Sequence, residues 1–366
     1  MLLYLWAWSK IPSLKNIAIR SDKDMNGKYF PALDSLRFFA SINIVLLHFS
    51  SSHLLSYAKG TFFDSLINAP YFTASVFFLL SGFIYSVLFS DKNRVVKLKP
   101  FMKERFCRLY PLHVICTLLI FAITIYRTDM LDNTVYAVKS LALHLTLLWA
   151  FVPKLGHHLN QPSWTLSVFF LCYILTPSFA KFLNRRSKKT LWLLFLLSWA
   201  ISFLAVIYFK ELPNIFRGIN FFSGMLLGKL FLSNAVSLPK PAWLNDLLLL
   251  FLAILLYANT CYFKQINTGL SYHIVSPVLY SAMLLFLANN KGIMVKILSV
   301  SWLRSLGKAS FYTYLLHCVV IEFLHLYLDK IEHWKSNPFN NLTATIIIMV
   351  LLYGGCVAYS RIRIKK

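Results

Sequence analysis

Ten mostly apolar stretches constrain this chain more than any other feature: Phe38 to Tyr57, Tyr71 to Phe89, Leu109 to Tyr126, Trp164 to Leu183, Leu191 to Phe209, Gly218 to Leu232, Leu244 to Tyr262, His273 to Leu287, Ser310 to Leu328 and Leu342 to Tyr359. A helix needs about 20 apolar residues to cross roughly 30 Å of hydrocarbon, and most of these stretches reach or approach that length. Lipid offers the backbone no hydrogen-bond partners, so such segments cross as helices. The expected fold is an all-α integral membrane protein with about ten transmembrane helices. Composition agrees: 58% of the 366 residues are hydrophobic and 14% charged, whereas a soluble domain is about 45 to 50% apolar.

The charge balance, 37 Lys and Arg against 13 Asp and Glu for a formal +24, would suggest a nucleic-acid partner in a soluble chain. In a membrane protein the same excess follows from insertion, because cytoplasmic loops collect Lys and Arg. No nucleic acid is expected. The densest basic segments, "DKNRVVKLKPFMKERFCR" and "NRRSKK", should share the cytoplasmic side. The apolar stretch Val135 to Val152 lies between them and would separate them if it spanned, so it is expected to dip in or lie flat, carrying Lys139 and His144. With ten spans, "NKGIMVKILSVSWLRSLGK" and "RIRIKK" also fall inside, and both termini are cytoplasmic. Residues 1–28 read as a cytoplasmic or interfacial extension, and 29–366 as one transmembrane domain. The six cysteines are scattered and read as small core residues. They show none of the close pairing of a zinc or redox site, so no metal is expected.

Two groups of residues carry chemistry. Arg37 and His48 are 11 residues apart, which at about 100° and 1.5 Å per residue puts both on one helix face, roughly 16 Å apart along the axis. Arg37 then sits at the cytoplasmic rim and His48 near the bilayer midplane, where an ionisable ring marks a function unless it only hydrogen-bonds between helices. Arg105 and Arg108, in "KERFCRLYP", share one side if the loop enters the third span as a helix. Guanidinium groups suit phosphate, although a basic loop is expected here on topology alone. Together, a phosphate-binding rim and a deeper histidine suit a long ligand with a phosphorylated head and a reactive tail.

With these residues in view, "FPALDSLRFFASINIVLLHFS" resembles the first helix of the membrane-bound acyltransferase-3 family, which modifies bacterial surface polysaccharides. "SVFFLLSGFIYS", "RFCRLYPL", "QPSWTLSVFFLCYILTP", "NFFSGMLLGKL" and "LGKASFYTYLLH" are similar to later family segments, in order. The resemblance implies transfer of an acyl group, usually acetyl, from cytoplasmic acyl-CoA to a hydroxyl of a glycan such as O-antigen (lipopolysaccharide) or exopolysaccharide. It places the chain in a bacterial inner membrane, among membrane lipids, with a glycan or lipid-linked glycan as acceptor. Arg37, Arg105 and Arg108 would hold the CoA head, and His48 would act as general base or carry the acyl group itself.

Other residues divide between substrate contact and packing. Ser81 and Gly82 in "LLSGF" would let a thioester approach the backbone, or serve helix packing, as Gly224 and Gly228 do. Trp164 is a substrate contact or an interfacial belt residue. Tyr314 and His317 share a helix face and either orient a substrate or hydrogen-bond between helices. Many family members carry a glutamate where this chain has Phe169. Glu322, with His325 three residues on, stands as a substitute acid or as a structural pair near the outer rim. Some relatives append an extra-cytoplasmic esterase-like domain that is not seen in this sequence, so delivery is expected either directly or through a separate periplasmic acyl-transfer protein. The competing readings are a multi-spanning transporter, whose repeated halves are not evident, and a catalytically inactive relative.

Overall fold

The computed structural model describes residues 29–52, 67, 73–90, 97–127, 133–152, 159–209, 213–263, 274–328 and 338–365; the extension expected over 1–28 lies outside them. Every regular element among the described residues is helical. In chain order the helices are α1 (Pro31–Ser51), α2 (Thr73–Leu88), α3 (Leu98–Arg127), α4 (Thr134–Leu145), α5 (Trp164–Leu183), α6 (Lys188–Tyr208), α7 (Pro213–Phe216), α8 (Ile219–Leu232), α9 (Ala242–Ala258), α10 (Ser276–Ala288), α11 (Ile293–Leu298), α12 (Ser301–Leu328) and α13 (Pro338–Lys365). Seven of them, α1, α3, α5, α6, α9, α12 and α13, are long and apolar enough to cross a membrane. The shorter apolar helices α2, α8 and α10, of 16, 14 and 13 residues, occupy the other three expected stretches. At 1.5 Å per residue they reach about 24 Å at most, and α2 and α8 are largely buried among the longer helices.

Two helices begin earlier than hydropathy suggests. α1 starts at Pro31, which suits a first turn because the missing N–H would be unbonded there anyway. Its polar first turns are then satisfied internally: Tyr29 donates to Asp34 at 2.6 Å and Arg37 pairs with Asp34 at 2.9 Å. Burial and the Asp34 carboxylate together push the Tyr29 phenol well above its ordinary ionisation range. The helix ends at Ser51, so His48 lies in its last turn. It is nevertheless level with His317, near the middle of α12. α3 likewise runs unbroken from Leu98 through the basic segment, with Pro111 inside it.

The stretch from Val135 to Val152 folds as the 12-residue α4 and a single 3-10 turn, Trp149–Phe151. At about 18 Å, α4 is too short to cross. Lys139 is exposed and His144 buried. His144 stacks on Trp149 at 4.7 Å, gives its Nδ1–H to the Ser140 carbonyl, and offers its own carbonyl to the His113 ring of α3 at 2.8 Å. Trp149 donates to Ser163 at 3.0 Å, which fastens the segment to the start of α5.

Glycines set the two closest helix crossings. A Cβ on Gly82 would lie 1.8 Å from the Phe221 carbonyl oxygen, and one on Gly224 would lie 2.0 Å from that of Leu79. With Gly228 against Phe83 and Ser86, this makes a zipped seam between α2 and α8. Between α1 and α12, Gly307 meets the Asp34 carbonyl in the same way. The basic connections gather at one end of the bundle: Lys229 donates to Asn184, Asn184 to the Phe89 carbonyl, Asn289 to that of Pro239, and Ser35 to that of Leu298.

Candidate functional site

Three arginines approach one another near that end. Arg37 comes from α1, and Arg105 and Arg108 come from successive turns of α3. Arg108 lies within electrostatic range of Arg105, Arg37, Tyr85 and Tyr312, which belong to four different helices, yet its side chain remains exposed. Arg105 is more enclosed, with 16% of its side chain accessible. Its guanidinium sits 5.3 Å from the ring centroids of Tyr85 and Phe101 and 3.4 Å from Glu104. Cation–π contact therefore holds Arg105 in place, while Arg108 presents the more open charge. Arg37 is already bonded to Asp34 and half-buried.

At the other end of the α1–α12 seam, the His48 and His317 rings face each other with centroids 5.1 Å apart. His317 is fully buried, and its Nδ1 lies 3.3 Å from the Thr313 carbonyl. A carbonyl can only accept, so Nδ1 carries the hydrogen and Nε2 holds the lone pair. The Cys318 thiol lies 3.5 Å from that Nε2 and donates to it. His48 is different. Among the described residues its ring makes no hydrogen bond, and its neighbour across the seam is the His317 ring.

The Tyr314 ring lies 5.9 Å from His317, and its hydroxyl donates to the Pro162 carbonyl at 3.1 Å. Arg217 is buried, lies within electrostatic range of Tyr314, and sits 5.5 Å from the Trp164 ring centroid. The structure thus groups His48, Tyr314 and His317, with Trp164 reached through Arg217. Arg217 and Cys318 are additions that the sequence reading missed. A lone arginine in "NIFRGIN" reads as a span border, and the only sign of Cys318 is its place directly after His317.

Packing bears on three of the sequence expectations. Gly82 has no room for a ligand, because the α8 backbone fills the space beside it; it is a packing residue, while Ser81 is half-buried on the next turn position. Glu322 is ion-paired with Arg127 at 2.7 Å, which joins the end of α3 to the later turns of α12. The cysteines are dispersed in sequence, yet Cys318 joins two histidines in space. Phe169, where a glutamate was the family expectation, stacks between Phe78 at 4.3 Å and Tyr173 at 5.7 Å. A carboxylate in that aromatic column would be costly unless paired.

The profile of the acyltransferase-3 family, described as an acyltransferase domain, matches residues 30–361. The chain belongs to this family. Among curated proteins it is similar to an acyltransferase, MdmB, of Streptomyces mycarofaciens, at 29% identity over 44% of this chain and 42% of that protein. It is also similar to the O-acetyltransferase OatA of Staphylococcus aureus, at 28% over 52% of this chain and 32% of the relative. A peptidoglycan O-acetyltransferase, OatA of Listeria monocytogenes, aligns at 26% identity over 42% of this chain and 24% of its own length. The matched regions thus span less than half the length of these relatives. No solved structure matches.

Proposed function

We propose that this protein is a membrane-bound O-acetyltransferase that moves an acyl group from acyl-CoA, most simply acetyl-CoA, to a hydroxyl of a cell-surface glycan in a bacterial cytoplasmic membrane. The observation that carries the reading is the pair of facing imidazoles at the α1–α12 seam, one of them with no hydrogen bond among the described residues, on the same helix as an arginine of the basic rim. Family membership supports the reaction class, the names of the two OatA relatives support O-acetyl transfer, and the Listeria name, a peptidoglycan O-acetyltransferase, supports a glycan acceptor.

In this reading the arginine end faces the cytoplasm, as the basic connections gathered there favour. Arg108 and Arg37 bind phosphates of the CoA head, with Arg105 as the aromatic-held member of the trio. The acyl arm runs along the α1 face toward His48, about 16 Å away along the axis. His48 takes the proton of the acceptor hydroxyl as the oxygen attacks the thioester carbonyl. The tetrahedral intermediate expels the CoA thiolate, which takes up the proton. His317 and Tyr314 orient the acceptor beside His48, and Trp164 with Arg217 gives it an aromatic face and a polar edge. A partner protein that completes delivery on the far side is compatible with this chemistry.

Membranes containing the protein, incubated with acetyl-labelled CoA, should release CoA and label an acceptor, whereas a transporter or scaffold leaves the thioester intact. Proton NMR of surface polysaccharide from a deletion strain should lack O-acetyl signals that the parent shows. Identical polysaccharide together with an intact thioester would overturn the proposal.

A further inference from the structure

We infer that His48, His317 and Cys318 form a binding site for a thiophilic metal ion, Zn2+ or Cu(I). Their ligating atoms all lie within 4.8 Å of one another. Tetrahedral bonds of about 2.0 Å to imidazole nitrogen and 2.3 Å to thiolate place N and S roughly 3.6 Å apart, and His317 Nε2 and Cys318 Sγ are already 3.5 Å apart. The His317 ring is held as a ligand should be. Its Nδ1–H is engaged by the Thr313 carbonyl, which turns the Nε2 lone pair toward the thiol. His48 needs a shift of about 1 Å to complete the set, since ligands of a common ion sit closer than the present outer limit. No hydrogen bond among the described residues holds its ring back.

Ligand chemistry selects the ion. Two imidazoles and a thiolate favour Zn2+ and Cu(I) over the oxygen-seeking Mg2+ and Ca2+. Charge acts in the same direction, because a thiolate with two neutral rings reduces Cu(I) to zero net charge and Zn2+ to a single positive charge, which limits the cost of burial. On binding, the thiol releases its proton to solvent and the metal–sulfur bond replaces the S–H···N contact. Three protein ligands leave a further position open. Because the ion takes the lone pair of His48, the loaded protein cannot use that ring as a base, and metal switches acyl transfer off. That last consequence rests on the function proposed above; metal binding itself does not.

The test uses the full chain purified in detergent, titrated with Zn2+, and with Cu(I) under reducing anaerobic conditions, each against a chromophoric chelator. The expected result is one equivalent per chain for at least one ion, weakened at least about tenfold by Cys318→Ser and by His317→Asn. Co2+ should give a thiolate charge-transfer absorption that Cys318→Ser abolishes and Cys107→Ser retains. Binding of neither ion to folded, monodisperse protein would overturn the inference. So would an affinity and a spectrum unchanged by Cys318→Ser, a near-isosteric change at a half-buried site. Activity separates the two proposals: measured against its own metal-free rate, Cys318→Ser should lose the inhibition by Zn2+ that the unmodified protein shows. If the ion binds with the expected variant dependence but transfer proceeds unimpeded, the metal site stands and the role given to His48 falls.

Discussion

The α2–α8 seam and the α1–α12 seam use the same device and reach different ends. Both bring helix backbones together by setting glycine against a carbonyl: Gly82 on Phe221 and Gly224 on Leu79 in the first, Gly307 on Asp34 in the second. The first seam repeats the contact along its length, with Gly228 continuing it, and the buried side chains beside it are mainly Phe and Leu. The second is pinned at one end only, and toward the other the space between the helices holds two imidazoles and a thiol. A seam closed throughout is a scaffold. One that is closed at a single end keeps its register while placing titratable groups between the helices.

The largest effect should follow from forcing the scaffold seam apart. Gly82→Ala and Gly224→Ala each place a methyl group within 2.0 Å of a backbone oxygen, which no rotamer change relieves. Each should cost about 3 kcal/mol or more, read as a fall in thermal unfolding temperature in detergent and in yield of monodisperse protein. Wild-type stability in both variants would mean that the two helices do not cross at these glycines.

On the open seam the large effect should fall on activity. His48→Ala should lower acyl transfer at least about a hundredfold, equivalent to about 2.7 kcal/mol of transition-state stabilisation, with little change in unfolding temperature. Because the His48 ring makes no hydrogen bond among the described residues, its loss leaves no partner there unsatisfied. His48→Gln sharpens the contrast, since glutamine can hydrogen-bond but cannot accept the proton. It should be as inactive as His48→Ala, and an active His48→Gln protein would mean that the ring serves packing.

These two seams were legible to different degrees. Hydropathy marks α2 and α8 plainly, and glycines four residues apart, as in Gly224 and Gly228, signal close helix approach. The start of α1 was set too late because a hydropathy window begins where apolar residues begin. The helix itself starts at Pro31, carried through Asp34 and Arg37 by their mutual ion pair. The meeting of His48 with His317 joins residues far apart in sequence, and no periodicity reports which helices become neighbours. Arg217, in the turn between α7 and α8, escaped notice for a related reason: its value lies in Trp164 and Tyr314, which come from two distant helices. Phe169 was visible as a departure from the family pattern, but only packing shows the aromatic column that replaces the expected carboxylate.

At the pinned end of the open seam, the arginines should affect binding more than chemistry. Arg108→Ala should raise the apparent KM for acetyl-CoA about tenfold with kcat largely kept, as expected where an interaction is made equally in ground and transition states. Arg108→Lys should recover part of this, because an ammonium keeps the charge but not the planar fork. Arg105→Ala should combine a smaller KM effect with some loss of stability, since its guanidinium packs on Tyr85 and Phe101. An Arg105/Arg108 double alanine variant with unchanged KM would place the CoA head elsewhere.

The smallest effect should come from glycines that look equivalent in sequence but lie in no seam. Gly354 and Gly355 form an adjacent small pair in α13, a pattern that in a membrane helix ordinarily suggests a packing face. A Cβ built on either meets nothing within 4 Å, so an added methyl group has open space around it. Removing a glycine from a helix interior also restricts the unfolded chain, which favours Ala by about 1 kcal/mol or less. Gly354→Ala and Gly355→Ala should therefore leave unfolding temperature unchanged or slightly raised, and acyl transfer unaffected. Measured beside Gly82→Ala in the same detergent, they separate a steric cause from a general intolerance of α-helical glycine to substitution. If all of these variants lose stability alike, the distinction between a closed seam and an exposed helix face is wrong, and α13 packs against a surface such as a second copy of the chain.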